Sequence, residues 1–180
     1  MEIEHKYSRL GDDVDVSDGH VISGYASVFG VADQGNDVVQ AGAYAASLAA
    51  LKAKGGSVKM LWQHDPAQPI GVWDEVREDA KGLWVKGRIL TDLPKGREAA
   101  CLLAAKAIDG LSIGYRAVKS RRNDKGQRLL DQLDLWEVSL VTFPMLPDAR
   151  VGAKGSDMTD AAMRDVAAVF REAAQALSRL

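Results

Sequence analysis

The stretch LDQLDLWEVSLVT (residues 130–142) has the apolar and β-branched composition of a β-strand, with one carboxylate inside its most hydrophobic half. Strand alternation predicts one face with Trp136, Val138 and Leu140, and a second face with Leu135, Glu137, Ser139 and Val141. Burying an unpaired carboxylate is costly, so Glu137 needs a partner. That partner is either a cation, Arg116 or Arg88, or another side chain of a catalytic site.

A second strand is predicted over residues 111–119, which begin with LSIGY. Alternation separates the apolar Leu111, Ile113 and Tyr115 from a face with Ser112, Gly114 and Arg116. Ser112 can therefore project into a cleft beside bare backbone, although a serine in a strand is more often structural. The string GLSIG also matches G-x-S-x-G, but the serine of a hydrolase elbow lies between a strand and a following helix. Here a predicted helix precedes Ser112 and a strand follows it, which excludes the α/β-hydrolase fold.

The rest of the chain predicts more strands than helices. Strands are expected at residues 20–30, 57–63, 70–76 and 83–90, with the last two forming an antiparallel hairpin, and helices at residues 42–54 and 94–108. The strand over residues 57–63 ends at His64-Asp65-Pro66, which places His64 at a strand end. We expect an α+β, mainly β fold.

Composition excludes several classes of function. The 23 basic and 25 acidic residues nearly balance, which argues against nucleic acid as a partner. No apolar run is long enough to cross a membrane, and no signal-like segment begins the chain, so we expect a cytosolic protein. The single cysteine, Cys101, is predicted to be a small buried residue, without disulfides.

The chain has few groups for metal or base chemistry. Its three histidines are His5, His20 and His64, and the first two lie in the weakly structured beginning. His64-Asp65 alone makes a poor metal site, and phosphate-binding glycine loops are missing from the sequence. We therefore expect neither a metal nor a cofactor.

Both ends of the chain differ from its middle. Residues 1–19 are polar and suit a loose arm or an edge strand, and residues 20–151 contain the predicted strands. Residues 152–180 comprise a Gly-Ser linker and an amphipathic helix, whose apolar residues recur at steps of three and four. This helix either binds a partner or packs on its own domain.

Ser112, His64 and Glu137 together offer a nucleophile, a base and an acid. A serine needs a neighbouring imidazole to take its proton, and a carboxylate improves the imidazole by fixing its tautomer. Each residue alone has a structural explanation, and one shared catalytic explanation accounts for all three.

The ordered strings GYASVF (24–29), LWQHD (61–65) with PIG (69–71), LSIGY (111–115) and EVSLV (137–141) with Pro144 closely resemble the prohead maturation proteases of tailed bacteriophages. The likeness covers about residues 20–150. That family is similar to the herpesvirus assemblins, so the resemblance implies a closed antiparallel β-barrel flanked by helices, followed here by a C-terminal helical tail.

The resemblance also implies roles for individual residues. Ser112 corresponds to the nucleophile, His64 to the general base and then acid, and Glu137 to the residue that orients His64. The donors of the oxyanion hole are expected to be backbone N–H groups of Met145 and Leu146, with help from Arg150; the alternative is a loop that only closes the barrel.

A protein with this resemblance is expected to be a serine endopeptidase that cleaves scaffolding protein, major capsid protein or both, as well as itself, during procapsid maturation. It would act inside the immature procapsid, in the bacterial host cytoplasm, of a tailed phage or a phage-like particle. Self-association, such as a homodimer, is expected, and contact with nucleic acid or membrane is not. The alternatives are a non-catalytic scaffold or shell component with the same fold, and an esterase that uses the same three residues.

Overall fold

The computed structural model describes residues 4–9, 15–17 and 20–142, with side chains from residue 20 onward. This part of the chain forms one sheet of nine strands and two helices. The strands are β1 (Glu4–Arg9), β2 (Asp15–Ser17), β3 (Val21–Val28), β4 (Asp37–Val39), β5 (Lys59–Trp62), β6 (Asp65–Glu78), β7 (Gly82–Ile89), β8 (Gly110–Arg122) and β9 (Arg128–Val141), and the helices are α1 (Ala45–Ala53) and α2 (Pro94–Ala104). The predicted mainly β, α+β class is confirmed.

The strands follow one path, β1-β8-β9-β5-β6-β7-β3-β2, with β4 attached beside β9. Neighbours on this path are antiparallel except β5 and β9, which are parallel, as are β4 and β9. The described strands include no ladder between the two ends of the path, β1 and β2. Closure into a barrel therefore stays a prediction, and the tail over residues 152–180 lies outside the described residues.

Strand β9 organises the sheet. It pairs along its length with β8, while its other edge takes β4 near its start and β5 near its end. The short strand β4 lies outside the strands that the sequence predicted. The guanidinium of Arg128 ties it to β9, because Nε donates to Asp37 Oδ1 (2.9 Å) and Nη2 to Oδ2 (2.5 Å).

The core lies under one face of β8 and β9, where Ile113, Tyr115 and Val138 are almost fully buried. Helix α2 contacts this core through Gly96, Ala99 and Leu103, which lie on one stripe of the helix.

Cys101 lies off this stripe of α2 and is exposed, so the prediction that it is buried is wrong. The alanine-rich run made the whole segment look apolar, whereas helical spacing buries only one side of it. Helix α2 also ends earlier than predicted, and Lys106 just beyond it has a positive φ of 56°.

Within the described residues, no helix combines the length and apolarity that crossing a bilayer requires.

The loop of the β6–β7 hairpin is held by Asp79. Its carboxylate accepts hydrogen bonds from the Tyr25 hydroxyl (2.8 Å), from Arg77 Nη1 (2.9 Å) and from the backbone N–H groups of Lys81 and Gly82. These donors, the Tyr25 hydroxyl first, lower the pKa of Asp79 to about 2. The ionised form of Asp79 therefore stabilises the folded hairpin.

We expect Asp79 to contribute to the acid sensitivity of the protein. Its stabilising effect is complete above the ordinary carboxyl pKa near 3.8 and is lost as the pH falls toward 2. Thermal unfolding followed between pH 7 and pH 2 should show a shallower decline for Asp79→Asn than for the wild type. Asp124→Asn, in the exposed β8–β9 turn, is the control; equal pH profiles for the wild type and Asp79→Asn would contradict this account.

Candidate active site

His64 lies in the two-residue turn that joins β5 to β6. Trp62 pairs with Asp65 across this turn, and its two residues, Gln63 and His64, have positive φ angles of 51° and 63°. Two-residue turns with positive φ at both positions match the twist of a hairpin, but they favour asparagine and glycine. A glutamine and a histidine there cost about 1–3 kcal/mol each, so contacts from the surrounding structure must hold them.

The end of β9 supplies those contacts. The backbone N–H of Gln63 donates to the carbonyl of Leu140 (3.0 Å), and Gln63 Nε2 donates to Thr142 Oγ1 (2.7 Å). The backbone N–H of His64 donates to Ser139 Oγ (3.2 Å). The backbone of the turn is therefore fixed to the same strand that carries Glu137.

The imidazole of His64 contacts the carboxylate of Glu137, with Nδ1 and Oε1 2.5 Å apart. Both side chains are largely buried, with 8% and 7% of their surfaces exposed. An ionised carboxylate can only accept hydrogen bonds, so Nδ1 carries the proton and Nε2 is the basic nitrogen. This is the tautomer that a general base acting through Nε2 requires.

The second oxygen of Glu137 is held by Ser139. The Ser139 hydroxyl donates to Oε2 (2.5 Å) while it accepts the N–H of His64, and Ser139 is fully buried. One hydroxyl thus fixes both the carboxylate and the backbone of the base. Of the two arginines considered as partners for Glu137, Arg116 contacts Asp134 and Arg88 contacts Asp74.

A β-bulge in β9 adjoins this carboxylate. Gly114 pairs with Glu137 and Tyr115 with Leu135, so β9 has one extra residue here, Trp136. Leu135 therefore joins the core face with Tyr115, whereas Glu137 lies on the opposite face. The prediction that Leu135 and Glu137 share a face is wrong, because strict alternation does not hold across a bulge.

Ser112 lies on the strand next to this histidine–carboxylate pair. It is the register partner of Ser139, and partners in neighbouring strands have Cβ atoms about 4.5–5.5 Å apart. We call the face with Ser112, Gly114, Glu137 and Ser139 the site face. Ser112 is buried in this structure.

Gly114 makes room for Glu137. A Cβ atom built on Gly114 would overlap Oε1 of Glu137 and crowd its carboxyl carbon (2.8 Å). The second glycine of GLSIG is thus explained by the close approach of a carboxylate. No role is predicted from the sequence for Gly114, Gln63 or Ser139; period-two spacing from Glu137 is the one signal that identifies Ser139 as a candidate.

The other candidate residues lie elsewhere. Met145, Leu146 and Arg150, proposed for the oxyanion hole, lie outside the described residues. His5, expected in a weakly structured segment, belongs to β1, where its backbone pairs with Gly114. His20 directly precedes β3.

A buried histidine–carboxylate pair beside a strand serine is the arrangement that serine hydrolases use. The chain matches the family model of the caudovirus prohead serine proteases over residues 8–164, and it belongs to that family.

Two known proteins extend this comparison. The prohead protease of enterobacteria phage HK97 is 30% identical over 149 residues, which cover 81% of this chain and 65% of that protein. This chain therefore matches less than two thirds of its relative's length. The structure of the bacteriophage T4 capsid assembly protease superposes with a TM-score of 0.64 at 12% identity, covering 78% of this chain and 97% of the T4 chain. At that identity the likeness shows a shared fold.

Replacing Ser139 by alanine should weaken the site without dismantling the sheet. The substitution removes one hydrogen bond to a buried charged group, worth about 1.5–3 kcal/mol, and leaves the His64 N–H without its acceptor. A fluorophosphonate reacts with an activated serine, here expected to be Ser112. We expect the rate of this labelling to fall about tenfold to a hundredfold and its dependence on pH to change. Ser139→Thr, which keeps a hydroxyl, should recover much of the rate; unchanged labelling of Ser139→Ala would contradict this role.

Adding a methyl group at Gly114 should destabilise the fold through Glu137. Overpacking of this kind costs about 1–3 kcal/mol, measured as the free energy of unfolding in urea. The same Gly114→Ala change should cost much less in a Glu137→Ala background, where the clashing carboxylate is missing. If Gly114→Ala lowers the free energy of unfolding equally in both backgrounds, the glycine does not serve to make room for Glu137.

Proposed function

We propose that this chain is a serine endopeptidase in which Ser112 is the nucleophile, His64 the general base and Glu137 the residue that orients His64. The contact between His64 Nδ1 and Glu137 Oε1 carries the proposal, because it selects the tautomer in which Nε2 is basic. The position of Ser112 on the neighbouring strand and the family membership of the chain support it.

The reaction would proceed through an acyl-enzyme. Ser112 Oγ attacks the peptide carbonyl while His64 Nε2 takes its proton, and the imidazolium then gives this proton to the leaving amine. Water, deprotonated in turn by His64, hydrolyses the ester and regenerates Ser112. Glu137 stays ionised and stabilises the imidazolium. Backbone N–H groups of Met145 and Leu146, with Arg150, are proposed to stabilise the oxyanion.

The proposed substrates are proteins of an immature phage shell. One relative is a prohead protease and another protein of the same fold is a capsid assembly protease, which supports a role in capsid maturation. For this chain we propose cleavage of major capsid protein, scaffolding protein and the enzyme itself, inside the procapsid in the host cytoplasm. A closed barrel formed by residues 20–151, and self-association through residues 152–180, complete the proposal.

The burial of Ser112 favours an enzyme that is inactive until its environment changes. Because Ser112 is buried, an opening of its surroundings is proposed as a step before acylation. Confinement at high concentration in a shell is a condition under which self-association could drive such a step. The same burial also suits a non-catalytic shell component, which is the second candidate function.

Variants of the three residues separate the two functions. In comparable triads, loss of the nucleophile lowers turnover by about 10^6 and loss of the acid by roughly 10^4. Ser112→Ala should abolish fluorophosphonate labelling and processing of a co-expressed capsid or scaffolding protein, with Glu137→Gln less severe. Intact-mass spectrometry measures both reactions, and Ser120→Ala, at an exposed serine of β8, is the matched control.

Labelling of the wild type that depends on His64 supports the enzyme. The peptidase function is contradicted if the wild type is not labelled at high protein concentration, even when shell proteins are co-expressed. It is also contradicted if Ser112→Ala processes those proteins in the same way as the wild type.

A further inference from the structure

A cavity of about 630 Å³ adjoins the side of His64 and Glu137 that faces α1 and β5. His64 and Glu137 form part of its wall, and the rest is mainly apolar, with Leu51, Leu61, Pro66 and Trp136. Pockets that bind ligands in proteins have this size and this mainly apolar lining. The cavity is therefore large enough for one bulky apolar side chain.

Trp136, at the bulge in β9, contributes to this wall. Strict alternation would turn Trp136 to the face opposite Glu137, with Val138. Trp136, the extra residue of the bulge, lines the same cavity as Glu137 and is not part of the core cluster, whereas its neighbour Leu135 belongs to the core cluster and also lines the cavity. Bulges beside active sites commonly redirect a side chain in this way.

The cavity lies on the site face, within reach of a peptide bound at Ser112. Leu61 and Lys59 are the register partners of Ser139 and Glu137, so their side chains share that face. Leu61 is two strands away from Ser112, which corresponds to about 10 Å at the usual strand spacing. An extended peptide covers about 3.3 Å per residue, so roughly three residues span this distance.

The charged groups around the cavity favour a neutral side chain. Lys59 lines it together with the carboxylates of Asp134 and Glu137, and Glu137 is already bound by His64 and Ser139. Asp134 is already paired with Arg116, and the Lys59 ammonium donates to Ser57 Oγ. A charged substrate group would have to be desolvated against the apolar wall, which is costly without a new partner.

We propose that this cavity is a specificity subsite that binds a large apolar side chain of the substrate, two to four residues from the scissile bond. The inference rests on the proposed peptidase function and adds to it the class of sequence that the enzyme selects. A missing methylene in such a pocket changes kcat/KM by about 10–200-fold, so the subsite would discriminate strongly between apolar and small polar residues.

Profiling of cleavage sites tests the subsite. Full-length wild type, titrated for active sites with a fluorophosphonate, is incubated with a peptide library made from a digested proteome, and the cut bonds are read by mass spectrometry. We expect leucine, methionine, phenylalanine or tryptophan to be enriched at one position two to four residues from the cut. A matched peptide pair with leucine or serine at that position should differ at least tenfold in kcat/KM.

Variants of Leu51 on α1 change the cavity at a distance from Ser112. Leu51→Trp should fill the cavity and remove the apolar enrichment, whereas Leu51→Ala should enlarge it and shift the enrichment toward phenylalanine and tryptophan. Ala50→Trp, at an exposed neighbour on the same helix that does not line the cavity, should keep the wild-type profile. The opposite directions expected for the two Leu51 variants distinguish a change of pocket shape from partial unfolding.

The outcomes separate this inference from the proposed function. A wild type that is labelled at Ser112 but shows the same cleavage profile as both Leu51 variants overturns the subsite alone. A wild type that is neither labelled nor able to cut the library overturns the peptidase function, and the subsite with it.

Discussion

The candidate site depends on one buried carboxylate, Glu137, and on how its two oxygens are satisfied. One oxygen holds His64 Nδ1 and the other accepts the hydroxyl of Ser139. A buried carboxylate persists only when such partners are present. The missing side chain at Gly114 is explained by the room that this carboxylate needs, and the bulge at Trp136 lies beside it.

Strand β9 also supports the strained turn that carries the base. Gln63 and His64 both have positive φ angles, and their backbone N–H groups are bound by Leu140 and Ser139. The same four-residue segment of β9, residues 137–140, therefore fixes both the orienting acid and the backbone of the histidine. Strain at such a site persists because the surrounding contacts determine it.

Local patterns in the sequence predicted much of this architecture. The strand character of β8 and β9, the hairpin of β6 and β7, and His64 at a strand end followed from alternation and turn chemistry. Long-range pairing was not readable: β4 forms because Asp37 meets Arg128, which is 91 residues away in the chain. The bulge at Trp136 was missed because an extra residue in one strand is recognised only when the strand is paired with its neighbour. The convergence of His64 and Glu137 was inferred from residue types and family resemblance, and alternation alone could not have given it.

The contact between His64 and Glu137 underlies the proposed mechanism, and NMR of the ¹⁵N-histidine-labelled protein tests it directly. Of the three histidines in the chain, we expect one to have an imidazole Nδ1–H proton that resonates at lower field than the backbone amides, because it lies in a short hydrogen bond to a carboxylate. That signal should vanish in Glu137→Gln and in His64→Gln. A wild-type spectrum without it, or a signal that persists in Glu137→Gln, would contradict the account.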